Sequence, residues 1–317
     1  MKQRLTRKHI EIIPYEIEGL EQVVLEQEIL GITSKVLKRA YAGCVKRFRE
    51  LMECRLSKDS ELNDEDCKDW YDLTLVSLLV TYENVTAINA RKRLLEWQQQ
   101  RLEKFLVKDP WLEELRLLNI LFCSPLPKQT KSPMLWQHRR WLLMQRLTVN
   151  AIEEHSWYVY REVGTANTNS HITFTDLELQ VIMRAGELHP KNYYAWSYAR
   201  QLIAERVSNP SEELVNGIFE LCRRHISDIS MWSFLDHILD RMDDSSTTRA
   251  KYLQEVVELS DLAPGHETLW WFLRTAAKLN DSSHNAFLRS SDNRNSELQR
   301  KAIQWAWNYS STQSVDK

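Results

Sequence analysis

Apolar side chains recur at α-helical spacing along most of this chain. The clearest stripe falls at i, i+1, i+4, i+5, i+8, i+9 and i+12 and is formed by Val36, Leu37, Ala40, Tyr41, Cys44, Val45 and Phe48. Similar patterns predict helices over 68–82, 85–106, 111–122, 134–147, 149–162, 176–188, 193–206, 211–226, 229–242, 246–261, 267–280 and 296–308. An earlier helix is predicted from Leu20, Val23, Val24, Ile29 and Leu30. Only 170–175 suggests a strand, so the pattern predicts an all-α fold.

Polar segments and capping residues divide these helices. The predicted loops are 57–66, 124–133, 163–173 and 281–295. Thr175 and Glu178 have the spacing of a capping box, which places a helix start there. Ser211, directly after Asn209-Pro210, marks another helix start.

A motif centred on tryptophan recurs and decays along the chain. Its clearest copy reads Leu135-Trp136-Gln137-His138-Arg139-Arg140-Trp141-Leu142-Leu143, and the next reads Pro190-Lys191-Asn192-Tyr193-Tyr194-Ala195-Trp196-Ser197-Tyr198-Ala199-Arg200. Weaker copies surround Trp232 and Trp270, and an earlier copy has Ile88 at the tryptophan position. With these five residues as register marks, the repeat spacings are 48, 60, 36 and 38 residues.

Such spacings are typical of stacked helical hairpins, in which each unit buries its apolar face against its neighbours. We therefore predict a right-handed α-solenoid that forms a single domain over 1–317. Within it, N-terminal helices cover 1–80, the repeats cover 81–280, and a polar loop with a C-terminal helix covers 281–317. The tryptophans are expected to fill equivalent core positions in their repeats: Trp136, Trp196, Trp232 and Trp270.

Composition narrows the functional classes. Apolar residues make 43% and charged residues 27% of the chain, which is typical of a folded domain. The formal net charge of −2 gives no general attraction to nucleic acid or to an anionic membrane surface. Five scattered cysteines without a Cys-x-x-Cys pair fit reduced thiols, and no secretory signal is recognisable, so we expect a cytoplasmic protein.

Catalytic and metal-binding motifs are missing from the sequence. It contains no glycine-rich phosphate loop, no Gly-x-Ser-x-Gly and no His-Glu-x-x-His. The cluster of Asp236, Asp240, Asp243 and Asp244 lacks the Asp-Asp-x-x-Asp order of a magnesium-diphosphate site, so a solvated helix end is the better interpretation. We therefore expect no metal or cofactor on this chain.

The two clearest copies of the motif resemble the repeats of protein prenyltransferase alpha subunits. The resemblance covers about residues 80–280 and is closest to the alpha-type subunit of the third protein geranylgeranyltransferase, in a fungal version. It implies a crescent of helical hairpins wrapped around a beta subunit. That partner would carry the zinc and the prenyl diphosphate, and the heterodimer would act on a cysteine of a substrate protein.

The resemblance also implies site residues. Lys131, five positions before Trp136, corresponds to a family lysine that reaches the diphosphate, and Tyr193 and Tyr194 correspond to a Tyr-His pair near it. These three residues are the catalytic candidates. Positions that face the partner or the diphosphate are expected for His138, Arg139, Arg140, Lys191, Asn192 and Arg200.

Several positions depart from the family pattern. Pro133 replaces a tyrosine, Tyr194 replaces a histidine, and Ala199 replaces the arginine expected three residues after Trp196. Two functions therefore remain open. The chain is the alpha-type subunit of a heterodimeric geranylgeranyltransferase, or it is a helical-repeat scaffold that has kept the fold and lost transferase function.

Overall fold

The computed structural model describes residues 9–14, 23–26, 29–56, 64–102, 110–145, 174–243 and 245–277. Twelve helices and a small three-stranded sheet occur in these residues. The strands are β1 (His9–Ile13), β2 (Val23–Glu26) and β3 (Ile29–Thr33). The helices are α1 (Ser34–Leu56), α2 (Asp64–Val80), α3 (Val85–Leu102), α4 (Pro110–Phe122), α5 (Pro127–Thr130), α6 (Pro133–Gln145), α7 (Phe174–Leu188), α8 (Tyr193–Arg206), α9 (Glu212–Arg224), α10 (Ile229–Leu239), α11 (Ser245–Leu262) and α12 (Glu267–Ala277).

The chain divides into two compact units, which we call unit 1 (Met1–Tyr198) and unit 2 (Ala199–Lys317). Most predicted helices coincide with observed ones, and 193–206 agrees at both ends. The helices predicted over 149–162 and 296–308 lie outside the described residues. None of the described helices is long and apolar enough to cross a bilayer. The right-handed solenoid and the single-domain division stay predictions.

The prediction of an earlier helix around residues 20–30 is wrong, because this segment contributes strands. The sheet order is β1-β3-β2, with β1 parallel and β2 antiparallel to β3. Branched Val23, Val24 and Ile29 suit extended backbone, and Gly31 has no side chain where Ile13 approaches from β1. A Cβ at Gly31 would lie 3.3 Å from Ile13 Cδ1. The fold is therefore mostly helical rather than all-α.

A common register governs the helices that carry the five marks, which we call the inner helices: α3, α6, α8, α10 and α12. Each begins three residues before its mark, at Val85, Pro133, Tyr193, Ile229 and Glu267. In the first four repeats, the side chain of the residue one place earlier accepts a hydrogen bond from the backbone N–H three residues on. These N-caps are Asn84, Ser132, Asn192 and Asp228.

The indoles follow the same register. Nε1 of Trp136, Trp232 and Trp270 donates in each case to the carbonyl six residues earlier, at distances of 2.8, 2.9 and 2.9 Å. Trp196 is fully buried, and its ring packs where a Cβ on Gly186 would lie only 2.6 Å from Cζ2. All four tryptophans therefore lie in the interior, and three of them share one hydrogen-bond pattern.

Candidate partner-binding surface

Three loops of unit 1 lie side by side at the N-terminal ends of α3, α6 and α8. Ser132 Oγ donates to Tyr82 O at 3.4 Å, which joins the second loop to the first. Asn192 Nδ2 donates to Thr130 O at 3.0 Å, which joins the third loop to the second. We call these loops, residues 82–86, 126–133 and 189–194, the loop face.

Both cross-repeat bonds end on equivalent carbonyls. Tyr82 and Thr130 each lie six residues before the mark of their own repeat, and each accepts from the N-cap of the next repeat. Thr130 O also accepts from the indole of Trp136. One N-cap side chain thus fixes its own helix start and the neighbouring loop at once.

Lys131 extends across the loop face to the next repeat. It is partly buried, and its Nζ donates to Pro190 O at 2.8 Å. Pro190 lies six residues before Trp196, at the position that Thr130 occupies before Trp136. An ammonium has three protons, so this bond leaves donors for a second acceptor.

Aromatic side chains stand exposed beside this lysine. Tyr193 is 62% and Tyr194 is 40% exposed, and their ring centroids lie 5.4 Å apart in an edge-to-face arrangement. Lys191 is exposed as well, and its backbone has a φ of 61°. It is the only non-glycine residue with positive φ in the described part of the chain. A lysine in this region costs on the order of 1 kcal/mol, so the surrounding contacts must hold it there.

The loop face is electrostatically positive. Lys128, Lys131 and Lys191 lie on it, and residues 126–133 and 189–194 contain no Asp or Glu. The first turns of α3, α6 and α8 also lack acidic residues, so nothing there compensates the positive ends of these helices. Glu83, in the first loop, is the exposed carboxylate of the face. His189 bonds to Ser124 O, and burial, followed by the charge of Lys131, lowers its pKa.

Three of the residues expected to face the partner or the diphosphate are instead internal: His138, Arg139 and Asn192. His138 is 1% and Arg139 is 0% exposed. His138 Nε2 donates to Glu114 Oε1 at 2.8 Å, and Arg91 binds both oxygens of Glu114 from α3. This first lock, Arg91–Glu114–His138, joins three helices. The residues point inward because a buried carboxylate requires compensating donors.

Arg139 belongs to a second lock of the same design. Its Nε and Nη2 donate to the two oxygens of Glu178 at 2.8 and 2.6 Å, and the Tyr198 hydroxyl donates to Glu178 Oε2 at 2.6 Å. Arg91 and Arg139 both lie three residues after a register mark, while His138 and Tyr198 both lie two residues after one. Each glutamate is therefore held by the preceding repeat and by its own.

The charges within the locks follow from their surroundings. Burial raises the pKa of Glu114, but the Arg91 guanidinium and the bond from His138 outweigh it and bring the pKa to about 2. Burial lowers the pKa of His138 despite Glu114, so the imidazole stays neutral near pH 7. Burial and then the Glu178 charge raise the pKa of Tyr198, which keeps the phenol a donor.

The predicted site residues other than His138 and Arg139 fall into three groups. Lys131, Lys191, Tyr193 and Tyr194 are brought together on the loop face. Asn192 lies next to them in sequence but is fully buried, and acts as the cap and cross-link described above. Arg140 is partly buried, and Arg200, in unit 2, donates to Ser233 Oγ at 2.7 Å.

Glu114 and Glu178 are the residues that sequence reasoning missed. The capping-box interpretation of Glu178 is wrong, because α7 already begins at Phe174 and the carboxylate is buried. The available signal was a glutamate within an apolar stripe, Leu177-Glu178-Leu179, combined with an arginine three residues after the preceding mark. No group of three or more His, Cys, Asp or Glu side chains in the described residues is arranged to hold a metal ion.

Comparison with known proteins gives a consistent picture. Residues 140–260 match the model of the ECM9 middle domain. The chain is 28% identical over 232 residues to protein ECM9 of Saccharomyces cerevisiae, which covers 73% of this chain and 55% of that protein. It is 25% identical over 242 residues to human protein prenyltransferase alpha subunit repeat-containing protein 1, covering 63% and 56%.

A Xenopus laevis relative, repeat-containing protein 1-B, is 28% identical over 254 residues, covering 66% of this chain and 54% of its own length. The chain thus spans about half the length of the curated relatives it matches. At this level of identity, the protein is similar to ECM9 and to the prenyltransferase alpha subunit repeat-containing proteins.

Proposed function

We propose that this protein is an alpha-type subunit of a heterodimeric, cytoplasmic protein prenyltransferase. The observation that carries the proposal is the loop face: an exposed tyrosine pair and three lysines at the ends of adjacent repeat helices. Similarity to proteins named for prenyltransferase alpha subunit repeats supports the same assignment. The chain would wrap around a beta-type subunit as a solenoid crescent and contribute the loop face to the interface.

In this proposal, the partner supplies the reacting groups. A zinc ion on the beta-type subunit would hold the substrate cysteine as a thiolate, and the prenyl diphosphate would bind beside it. Lys131 would stabilise the negative charge that grows on the leaving diphosphate, using protons not donated to Pro190 O. The Tyr193 and Tyr194 hydroxyls would donate further hydrogen bonds. Geranylgeranyl transfer to a cysteine of a substrate protein is the proposed reaction.

A scaffold without transferase function is the second candidate. Three departures from the family pattern favour it: Pro133, Tyr194 and Ala199. His138 and Arg139 also serve internal locks, which leaves fewer groups on the surface for chemistry. Such a protein would keep the repeat fold and use the loop face only for binding.

Reconstitution with a prenyltransferase beta subunit from the same cell separates the candidates. The proposal predicts a stoichiometric complex that transfers a geranylgeranyl group, and a loss on the order of 2–3 kcal/mol of transition-state stabilisation in Lys131→Ala. Lys46→Ala, which changes an exposed lysine of α1 outside the loop face, is the control and should stay within about twofold of wild type. A complex without transfer would favour the scaffold, and failure to form a complex would contradict the proposal.

A further inference from the structure

Apolar residues begin each inner helix of unit 1. Val85 starts α3, Pro133 starts α6 and Tyr193 starts α8. Val85 is 49% and Tyr193 is 62% exposed, which is high for residues of this size. Because hydrogen bonds join the loops in the order first, second, third, these residues form a row across three repeats. Exposed apolar rows with a polar rim mark protein interaction sites.

The charged residues beside this row indicate the sign of the charge that the partner carries. Lys128 and Lys131 belong to the loop that precedes Pro133, and Lys191 belongs to the loop that precedes Tyr193. His189 lies in that third loop and bonds to Ser124 O. Glu83 is the carboxylate of the loop face, and it lies in the first loop, one residue before the cap of α3. The helix ends add partial positive charge without acidic compensation. A complementary surface is therefore negative near Lys128 and Lys191.

We propose that the loop face binds a protein segment that presents carboxylates beside apolar side chains. The inference rests on the proposed function in one respect, that this face binds a partner protein. It adds the type of side chains that the partner presents. Its apolar side chains pack on Val85, Pro133 and Tyr193, and its carboxylates pair with Lys128 and Lys191.

Exposure argues for a protein rather than a small molecule. Ligands the size of a prenyl diphosphate bind in concavities that enclose most of their surface. Val85 and Tyr193 keep about half or more of their surface in solvent, so they form a ridge that a protein surface covers. The strained backbone of Lys191 fits the same role, because strain persists where the neighbouring structure holds a residue in place for a function.

The test uses this chain alone and a random peptide library displayed on phage. Peptides selected on the wild-type chain should be enriched in Asp and Glu next to aromatic or aliphatic residues, and their binding should weaken as salt rises above about 0.1 M. The Lys128→Glu/Lys191→Glu variant should lose most of this binding. Lys38→Glu/Lys46→Glu, which changes the net charge equally on the exposed side of α1, should retain it.

Other results would overturn the inference. These are recovered peptides without acidic enrichment, equal loss in both double variants, or binding of geranylgeranyl diphosphate at this face without any acidic peptide. Circular dichroism establishes that the variants are folded, and Lys128→Ala/Lys191→Ala replaces the charge reversal if it unfolds. The peptide test contains no beta subunit, so its result does not depend on heterodimer formation. Failure to form a heterodimer would contradict the proposed function but not the acidic, apolar chemistry of the bound segment.

Discussion

Units 1 and 2 use different chemistry at equivalent repeat positions. In unit 1, the residues three places after the marks at Ile88 and Trp136 are arginines in buried bidentate pairs with glutamates. In unit 2, the corresponding residues after Trp232 and Trp270 are Leu235 and Leu273, both buried. There the contacts are apolar, such as Trp232 against Phe272 with ring centroids 5.2 Å apart.

The helix ends differ in the same direction. The N-caps of the inner helices in unit 1 are neutral, whereas α10 has Asp228 as its cap and α12 has Glu267 in its first turn. The acidic cluster of unit 2 also has an internal role, because Asp236 and Asp240 both pair with the buried Arg249. Around the inner helices of unit 1, Glu114 and Glu178 are therefore internal, and the first turns of α3, α6 and α8 carry no acidic residue. This distribution of charge supports the proposal that the loop face binds a partner.

Breaking a lock should have the largest effect. Glu178→Ala leaves the buried Arg139 without its counter-charge, and we expect a loss of about 3–5 kcal/mol in the free energy of unfolding. Arg139→Leu/Glu178→Leu/Tyr198→Phe converts the lock to the chemistry of unit 2 and should lie within about 2 kcal/mol of wild type. Urea titration followed by far-ultraviolet circular dichroism measures both. A triple variant as unstable as Glu178→Ala would show that apolar contacts cannot replace the buried ion pair of unit 1.

The cross-repeat bond of Asn192 should contribute less. Asn192→Ala removes both a cap and the bond to Thr130 O, so we expect a loss of about 2 kcal/mol. Asn84→Ala removes the equivalent cap in the first repeat and should cost about 1 kcal/mol. The difference between the two unfolding free energies measures the cross-link. Equal losses would mean that Asn192 serves as a cap and nothing more.

The smallest expected effect concerns pH. Burial lowers the pKa of His138, so below the ordinary value of about 6.5 the unfolded chain binds a proton that the folded chain excludes. Stability should therefore be full above that pH and fall as the pH drops through it. His189 and His237, whose pKa values burial also lowers, add to the slope. His138→Gln should make the dependence shallower without abolishing it, and an unchanged slope between pH 7 and pH 5 would contradict the assignment.

Much of the fold could be predicted because apolar periodicity and turn chemistry act locally. The helix starting at Tyr193 follows a buried asparagine cap and was predicted at both ends. The sheet could not be predicted this way, since its strand at Ile29–Thr33 is defined by pairing with His9–Ile13, twenty residues earlier in register. Hydrophobicity alone does not separate short apolar helices from strands.

The candidate site was less predictable for a similar reason. Lys131 was expected beside Lys191 and the tyrosine pair, and its hydrogen bond to Pro190 O lies one residue from Lys191. The role of these residues at a diphosphate or a partner stays a prediction. His138 and Arg139 look like surface charges in sequence. Glu114 on the earlier helix α4 and Glu178 on the later helix α7 bind them and make them internal. Such pairings join residues 24 and 39 positions apart, so the glutamate within an apolar stripe does not by itself identify its partner.

If the loop face of unit 1 binds the partner, variants of this face and of unit 2 should differ in their association with a prenyltransferase beta subunit. Tyr193→Ser/Tyr194→Ser removes the exposed pair from unit 1, and Ile229→Ser/Leu262→Ser removes exposed apolar residues from unit 2. Isothermal titration calorimetry should show at least about tenfold weaker binding for the first variant, a loss of about 1.4 kcal/mol, and wild-type affinity for the second. Wild-type affinity in the tyrosine variant, or a greater loss in the unit 2 variant, would contradict the account.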